Sequence, residues 1–387
     1  MPQPILRKIT KWFFVVANII VAACFLLACY VKYFNPVQYW FFGLLTLASF
    51  YFLITLFLFF LFWLFFKSGW SILFIIVLVF TWKPIQNIVP LHFNSSFNYI
   101  KPDSTLRIMS WNVAQFNILE DKKHPEVKTA MLKLINQYKP DIACFQEVVA
   151  GDSMLDLQVP YVHRYYKKFR YYPIKSLVNA LHFQNYAYAY NWKENFLYKQ
   201  HFGVLILSKY PIINRHVIMT YPFDYNSTFQ YADVIKGTDT MRVFNIHLQS
   251  LKFTPTNLHY IDSPSLSSRN DIEKSENLIG KLKTGFLKRQ AQAEIVRMEI
   301  NKSPYPIILC GDFNDVPNSY AYETIGNGLQ NAFVKKGHGL GRTFSGIAPT
   351  LRIDNIFIDA QFSIEQFTRI NKKLSDHFPI ITDIRFK

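Results

Sequence analysis

The stretch PYPIILCGDFNDVPNS, residues 304–319, runs five apolar residues straight into Gly311, Asp312, Phe313, Asn314 and Asp315. The β-branched run reads as a strand. Side chains at i and i+2 of an extended segment share a face, so Asp312 and Asn314 are expected to project together and Asp315 to point away as a turn acid. A strand that ends this way forms either a polar turn or the lip of an active site.

Outward from it, the same signature recurs. Strands are expected at 106–113, 141–146, 203–208, 242–248, 305–310, 353–358 and 379–385. Helical spacing of Val127, Ala130, Met131, Leu134, Ile135 and Tyr138 predicts a helix over 125–138, with Pro125 suited to its first position. A basic helix over 286–300 is expected to bury Leu287, Ala291, Ile295 and Met298. Strands this numerous with few helices predict an α+β fold, two packed β-sheets flanked by helices, rather than one parallel sheet. Residues 150–200 interrupt the pattern with tyrosines among Lys and Arg, and read as a surface insertion or an anion-binding surface. Lys167, Lys168 and Arg170 are its natural contact residues.

The first hundred residues contain no Asp or Glu and only six basic residues, Arg7, Lys8, Lys11, Lys32, Lys67 and Lys83. Three uncharged apolar stretches, 12–31, 39–66 and 68–82, predict transmembrane helices within a membrane region 1–90. The third spans only if Lys67 and Lys83 snorkel to opposite interfaces. An apolar run after RKITK also fits a signal peptide, but the two further stretches favour spans. Arg7, Lys8 and Lys11 outweigh Lys32, which places the N-terminus in the cytoplasm and, after three crossings, the rest outside it, on the periplasmic or cell-exterior side. Residues 91–105 read as a linker to a domain over 106–387.

Residues 101–387 keep 36 of the 42 basic residues against all 26 acidic ones, a balance suited to phosphates, nucleic acid or acidic lipid. Four cysteines, two of them in the first apolar stretch, do not make a disulfide framework.

Polar residues end the predicted strands one after another: Asn112, Glu147, His247, Asp312 with Asn314, Asp354, and Asp376 with His377. Four acids, two amides and two imidazoles at strand termini can converge on one rim. The ordered series WNV, QEV, GVLILSKYPI, NIHLQS, GDFNDVP, RIDNIF and SDHFPI resembles the endonuclease/exonuclease/phosphatase superfamily, which includes deoxyribonucleases, abasic-site endonucleases, inositol polyphosphate phosphatases and neutral sphingomyelinases. The resemblance covers about 106–387 and implies a four-layer α/β sandwich. It departs at Asn355, where many relatives carry an aromatic residue.

The resemblance implies a divalent-metal-dependent phosphoesterase using Mg2+, or Mn2+ in its place. Glu147 becomes the principal metal ligand, with Asn112 beside it and Asp376 completing the environment. Asp312 orients and deprotonates the attacking water, Asn314 donates to a phosphate oxygen, and His377, held by Asp354, contacts the phosphate. His247 stabilises the leaving group. The expected substrate is a phospholipid or sphingomyelin-type headgroup or a nucleic acid, with the bilayer as partner and no protein partner. The competing expectation is a catalytically inactive, membrane-tethered binding module.

Overall fold

The computed structural model describes residues 3–66, 68–93, 96–120, 123–151, 172–190, 200–218, 227–251, 253–263, 265 and 269–387. Lys167, Lys168 and Arg170 lie outside the described residues.

Two six-stranded sheets face each other. The first has the order β11-β12-β1-β2-β4-β3 and the second β5-β6-β7-β8-β10-β9. The strands are β1 (Leu106–Asn112), β2 (Ile142–Ala150), β3 (Asn185–Tyr190), β4 (His201–Ser208), β5 (Ile212–Ile218), β6 (Phe229–Lys236), β7 (Asp239–His247), β8 (Ile307–Asp312), β9 (Gln330–Asn331), β10 (Asp354–Ile358), β11 (Phe362–Arg369) and β12 (Ile380–Phe386). Each sheet holds one parallel pair, β1 with β2 and β7 with β8. A parallel pair needs a crossover, and helices Pro125–Tyr138 and Arg269–Asn301 supply the two here. Their apolar faces cover the outer surfaces of the sheets, which completes the four layers. Between the sheets, Ile108, Ile142, Cys144, Ile206, Val243, Ile308, Cys310 and Ile356 form a fully buried layer.

The long helix corrects the expected burial pattern. Its inner face carries Phe286, Arg289, Gln292, Ala293, Val296 and Ile300, while Met298 is exposed and Leu287, Ala291 and Ile295 are only partly covered. The apolar spacing misled because two polar residues belong to the buried stripe. Gln292 accepts from the Gln249 N–H at 2.8 Å, and Arg289 Nε pairs with Asp315 at 3.1 Å. Asp315 is therefore a buried ion-pair partner and not a solvent-facing turn acid.

The N-terminal helices Gln3–Cys29, Ser49–Phe65 and Ile72–Ile88 pack together around Ala22, Phe25, Leu56 and Val77. Phe13, Ile20, Leu58, Leu61, Val79 and Phe80 are exposed on the outside of the bundle. Among the described residues two helices, Ile5–Cys29 and Gly69–Ile88, are long and apolar enough to cross a membrane, and Ser49–Phe65 is a shorter apolar helix. The stretch 39–66 is not one helix: Ala48, at φ −90° and ψ 0°, separates Phe42–Leu47 from Ser49–Phe65. The third helix runs past Lys83 and takes in Pro84 with a kink at Thr81. Proline lacks an N–H for the carbonyl four residues back. That carbonyl belongs to Phe80, and the Tyr30 hydroxyl donates to it instead.

The described residues between 91 and 105 are tied to the domain. Leu91 bridges to His338, the Asn98 N–H donates to Gln366, and Phe97 packs against the first-sheet core.

Candidate active site

On the inter-sheet face, the central strands change character at their last inward positions. The inward residues of β1 run Leu106, Ile108, Ser110, Asn112, and those of β7 run Met241, Val243, Asn245, His247. In β8 they are Ile308, Cys310 and Asp312, and β10, running the other way, begins with Asp354 before Ile356 and Ile358. Register sets His247 and Asp354 on either side of Asp312 in a single row. The period of two that builds the core thus delivers its polar ends to one edge.

Glu147 reaches this edge by a different route. Alternation alone would point it to the outer face of the first sheet. A bulge between Phe145 and Val148, with Glu147 at φ +55°, re-aims it. Its Oε1 comes within 3.7 Å of His247 Nε2, and its Oε2 accepts from Gln115 Nε2 at 2.7 Å. Gln115 sits in four consecutive left-handed residues, Ala114–Asn117, with φ between 42° and 57°. Such a turn costs about 1–2 kcal/mol per non-glycine residue, and the buried Phe116 ring, edge-on to Phe145, anchors it.

Asp312 is the hub. Its Oδ2 accepts from Asn112 Nδ2 at 3.0 Å and lies 3.5 Å from His247 Nε2 and 3.6 Å from His377 Nε2. Burial pushes its carboxyl up to about 6; His377 opposes the rise, Asp354 adds to it, and His247 and the Asn112 amide oppose it further. His377 Nδ1 lies 2.8 Å from Asp354 Oδ2. Burial works against a charged imidazole there, but the Asp354 and Asp312 carboxylates outweigh it and raise His377 to about 10.

The remaining expected residues differ. Asn314 follows the strand end with φ +49°, so it does not share the Asp312 face as an extended chain would require. Its N–H donates to Asp312 Oδ1 at 2.8 Å, and its carboxamide donates to the Leu248 carbonyl at 3.0 Å. Asp376 stands exposed on the rim, where its carboxylate accepts from Ser375 Oγ.

Asp312, Asp354 and His377 offer ligand atoms within 4.8 Å of one another. Asp354 already holds His377 Nδ1 at 2.8 Å, so these three form a carboxylate–imidazole pair facing a third group rather than a cage. The wider site does fit a hard divalent cation. Glu147 brings a carboxylate to this edge, and Ser375 ties the Asp376 carboxylate to the Asn112 carbonyl, an oxygen-rich set of the kind such a cation takes.

A family model for the endonuclease/exonuclease/phosphatase family matches residues 109–377, which takes in every one of these groups. The chain belongs to this family. A model for a domain of unknown function matches residues 11–88, the helical bundle. Among solved structures, a family protein from Bacteroides thetaiotaomicron is similar at 15% identity, over 74% of this chain and 100% of that one, with a TM-score of 0.50. A second, from Beutenbergia cavernae DSM 12333, shows 16% identity over 73% of this chain and 72% of that one, with a TM-score of 0.49. The human Nocturnin catalytic domain, solved with a bound sulfate anion, shows 16% identity over 74% of this chain and 97% of that one, also with a TM-score of 0.49. These likenesses concern the fold. No curated protein matches the chain.

In this endonuclease/exonuclease/phosphatase-family site, several supports were not singled out from the sequence. Gln115 holds Glu147, and Thr343 Oγ1 accepts from the Ile353 and Asp354 N–H groups. Trp111 Nε1 donates to the His377 carbonyl, and Asn245 ties the sheets together through Gln146, Phe145 and Leu205. Asn245 and Trp111 lie within quoted motifs, next to or near a chosen residue; Thr343 has no local signal.

Proposed function

We propose that this protein is a membrane-anchored, divalent-metal-dependent phosphoesterase that acts outside the cytoplasm on phosphate esters presented at the bilayer surface. The carrying observation is the row His247–Asp312–Asp354, faced by His377 and Glu147. Glu147, with Asn112 and the rim residue Asp376, would hold the cation. When bound, the cation supplies Lewis-acid stabilisation of charge on the phosphoryl oxygens.

The chain's own groups do the rest. Asp312, raised to about 6, takes a proton from the attacking water as its oxygen bonds to phosphorus. His377 holds a phosphoryl oxygen with its charged imidazole. The ester P–O bond breaks, and His247 gives its proton to the leaving oxygen. Asp312 then returns a proton to His247 across 3.5 Å, which restores both groups.

The bundle supports the anchored arrangement. Its first helix ends near Lys32, paired with Glu323, and its third ends at Ile88, bonded to Arg352, whereas the turn between Phe65 and Ile72 lies at its other end. The N-terminus and the catalytic domain thus sit at opposite ends of three helices. With Arg7, Lys8 and Lys11 cytoplasmic, the domain lies outside. Thr46, Ser49 and Ile88 of the bundle line one crevice with Val316 and Arg352, close in sequence to Asp312 and Asp354. That contact between the bundle and the segments flanking Asp312 and Asp354 supports a substrate presented at the bilayer surface, a headgroup phosphate in preference to a polynucleotide.

The test is hydrolysis of bis(4-nitrophenyl) phosphate and of phospholipid vesicles by the detergent-purified full chain. EDTA should abolish turnover and Mg2+ or Mn2+ restore it. Asp312→Asn should lower kcat by at least about 100-fold without loss of folded protein. Turnover that survives EDTA would refute the mechanism, and metal-dependent cleavage confined to free DNA or RNA, steeply weakened by salt, would assign the substrate to nucleic acid.

A further inference from the structure

The catalytic domain satisfies the end of the third bundle helix, Ile72–Ile88. The last carbonyls of a helix have no partner within it and carry its negative dipole end. Here Arg352, fully buried, donates to the carbonyls of Asn87 and Ile88. Asn318, fully buried at φ +66°, donates through Nδ2 to the Pro84 carbonyl at 3.0 Å. In return Asn87 Nδ2 donates to Asn318 Oδ1 at 2.9 Å and to Glu323 Oε1 at 3.1 Å. The second oxygen of Glu323 takes Lys32 Nζ at 2.8 Å.

These docking residues flank the catalytic ones in sequence. Arg352 precedes Asp354 by two residues. Asn318 lies on the turn that follows Asp312 and Asn314, where Asn314 N–H still holds the Asp312 carboxylate. Resting on the functional reading above, we propose that Arg352 and Asn318, clasped by Asn87 of the bundle, are positioning residues through which the membrane region holds the turn that aims the Asp312 carboxylate and the segment that leads into Asp354.

In this arrangement the bundle is a part of the active-site framework as well as an anchor. Loosening the clasp moves the base relative to the imidazolium and lowers kcat, while substrate affinity, set by rim groups, is kept. Asn87→Leu in the full chain removes both donated bonds from the bundle side without touching the site. Its kcat on bis(4-nitrophenyl) phosphate should fall about ten-fold with KM within about two-fold. Amide hydrogen exchange should accelerate in 312–323 and 351–356 and nowhere else in the catalytic domain.

Lys32→Met, at a partly exposed position, carries the same test should Asn87→Leu not fold. Unchanged kcat and unchanged exchange, or exchange accelerated uniformly through the domain, would overturn the clasp. A wild-type chain that hydrolyses no phosphate ester would refute the functional reading instead, and the exchange pattern would then decide the clasp alone.

Discussion

His377 Nδ1 and Asp354 Oδ2 are 2.8 Å apart, with both side chains almost wholly removed from solvent. The carboxylate fixes which ring nitrogen faces it and leaves Nε2 turned toward Asp312 at 3.6 Å. Asp354→Asn keeps the shape and removes the charge. It should lower kcat by about 100-fold to 10,000-fold and bring the alkaline limb of the pH–rate profile down by more than a pH unit, measured on a soluble diester.

The same values give a pH dependence. On the proposed mechanism activity requires Asp312 unprotonated and His377 protonated, so it should rise through about 6 and fall through about 10, with a bound cation shifting the lower limb further down. Stability follows a different course. His377 is raised from 6.5 to about 10 on folding, so its contribution is complete below pH 6.5 and lost as pH rises through about 10. Asp312, raised from 3.8 to about 6, likewise favours the folded state most below 3.8 and loses that contribution as pH rises through about 6. Thermal unfolding in EDTA across this range should show both declines; a flat profile would remove the assignment.

Gln115 touches Glu147 at 2.7 Å from a strained turn. Gln115→Ala should leave kcat near wild type at saturating Mg2+ but raise the Mg2+ concentration needed for half-maximal activity about 10–100-fold. A Mg2+ titration of activity decides it, and an unchanged midpoint would detach Gln115 from the metal.

Arg289 and Asp315 form a pair with side chains only 2% and 5% exposed. Arg289→Met leaves the Asp315 carboxyl buried alone and should cost about 3–5 kcal/mol in urea unfolding at neutral pH. The loss should shrink in acid, because burial already raises the Asp315 carboxyl and protonation removes the stranded charge.

Protease added to spheroplasts of an expressing host should digest the catalytic domain without lysis. Protection until lysis would mean that one of the three helices does not cross.

Local sequence determined a good deal of this protein. Each central strand carries its core contacts and its polar end in one alternating register, so Asn112, His247, Asp312 and Asp354 were legible from the period of two. The apolar helices were legible from length and lack of charge, and the two-sheet fold from the number of strands.

Tertiary structure decided what breaks a local period. Glu147 enters the site through a bulge, and Asn314 leaves the strand face through a positive φ, neither of which alternation can express. Arg289, Gln292, Arg352 and Asn318 carry no local sign of their burial, because a polar side chain is tolerated inside only when distant groups satisfy it. Those groups, Asp315, Gln249 and the carbonyls of Pro84 and Asn87, arrive from other parts of the chain. The docking of helix ends on the catalytic loops follows from the same cause. An orphan carbonyl announces a need, and only the folded chain shows which donor meets it.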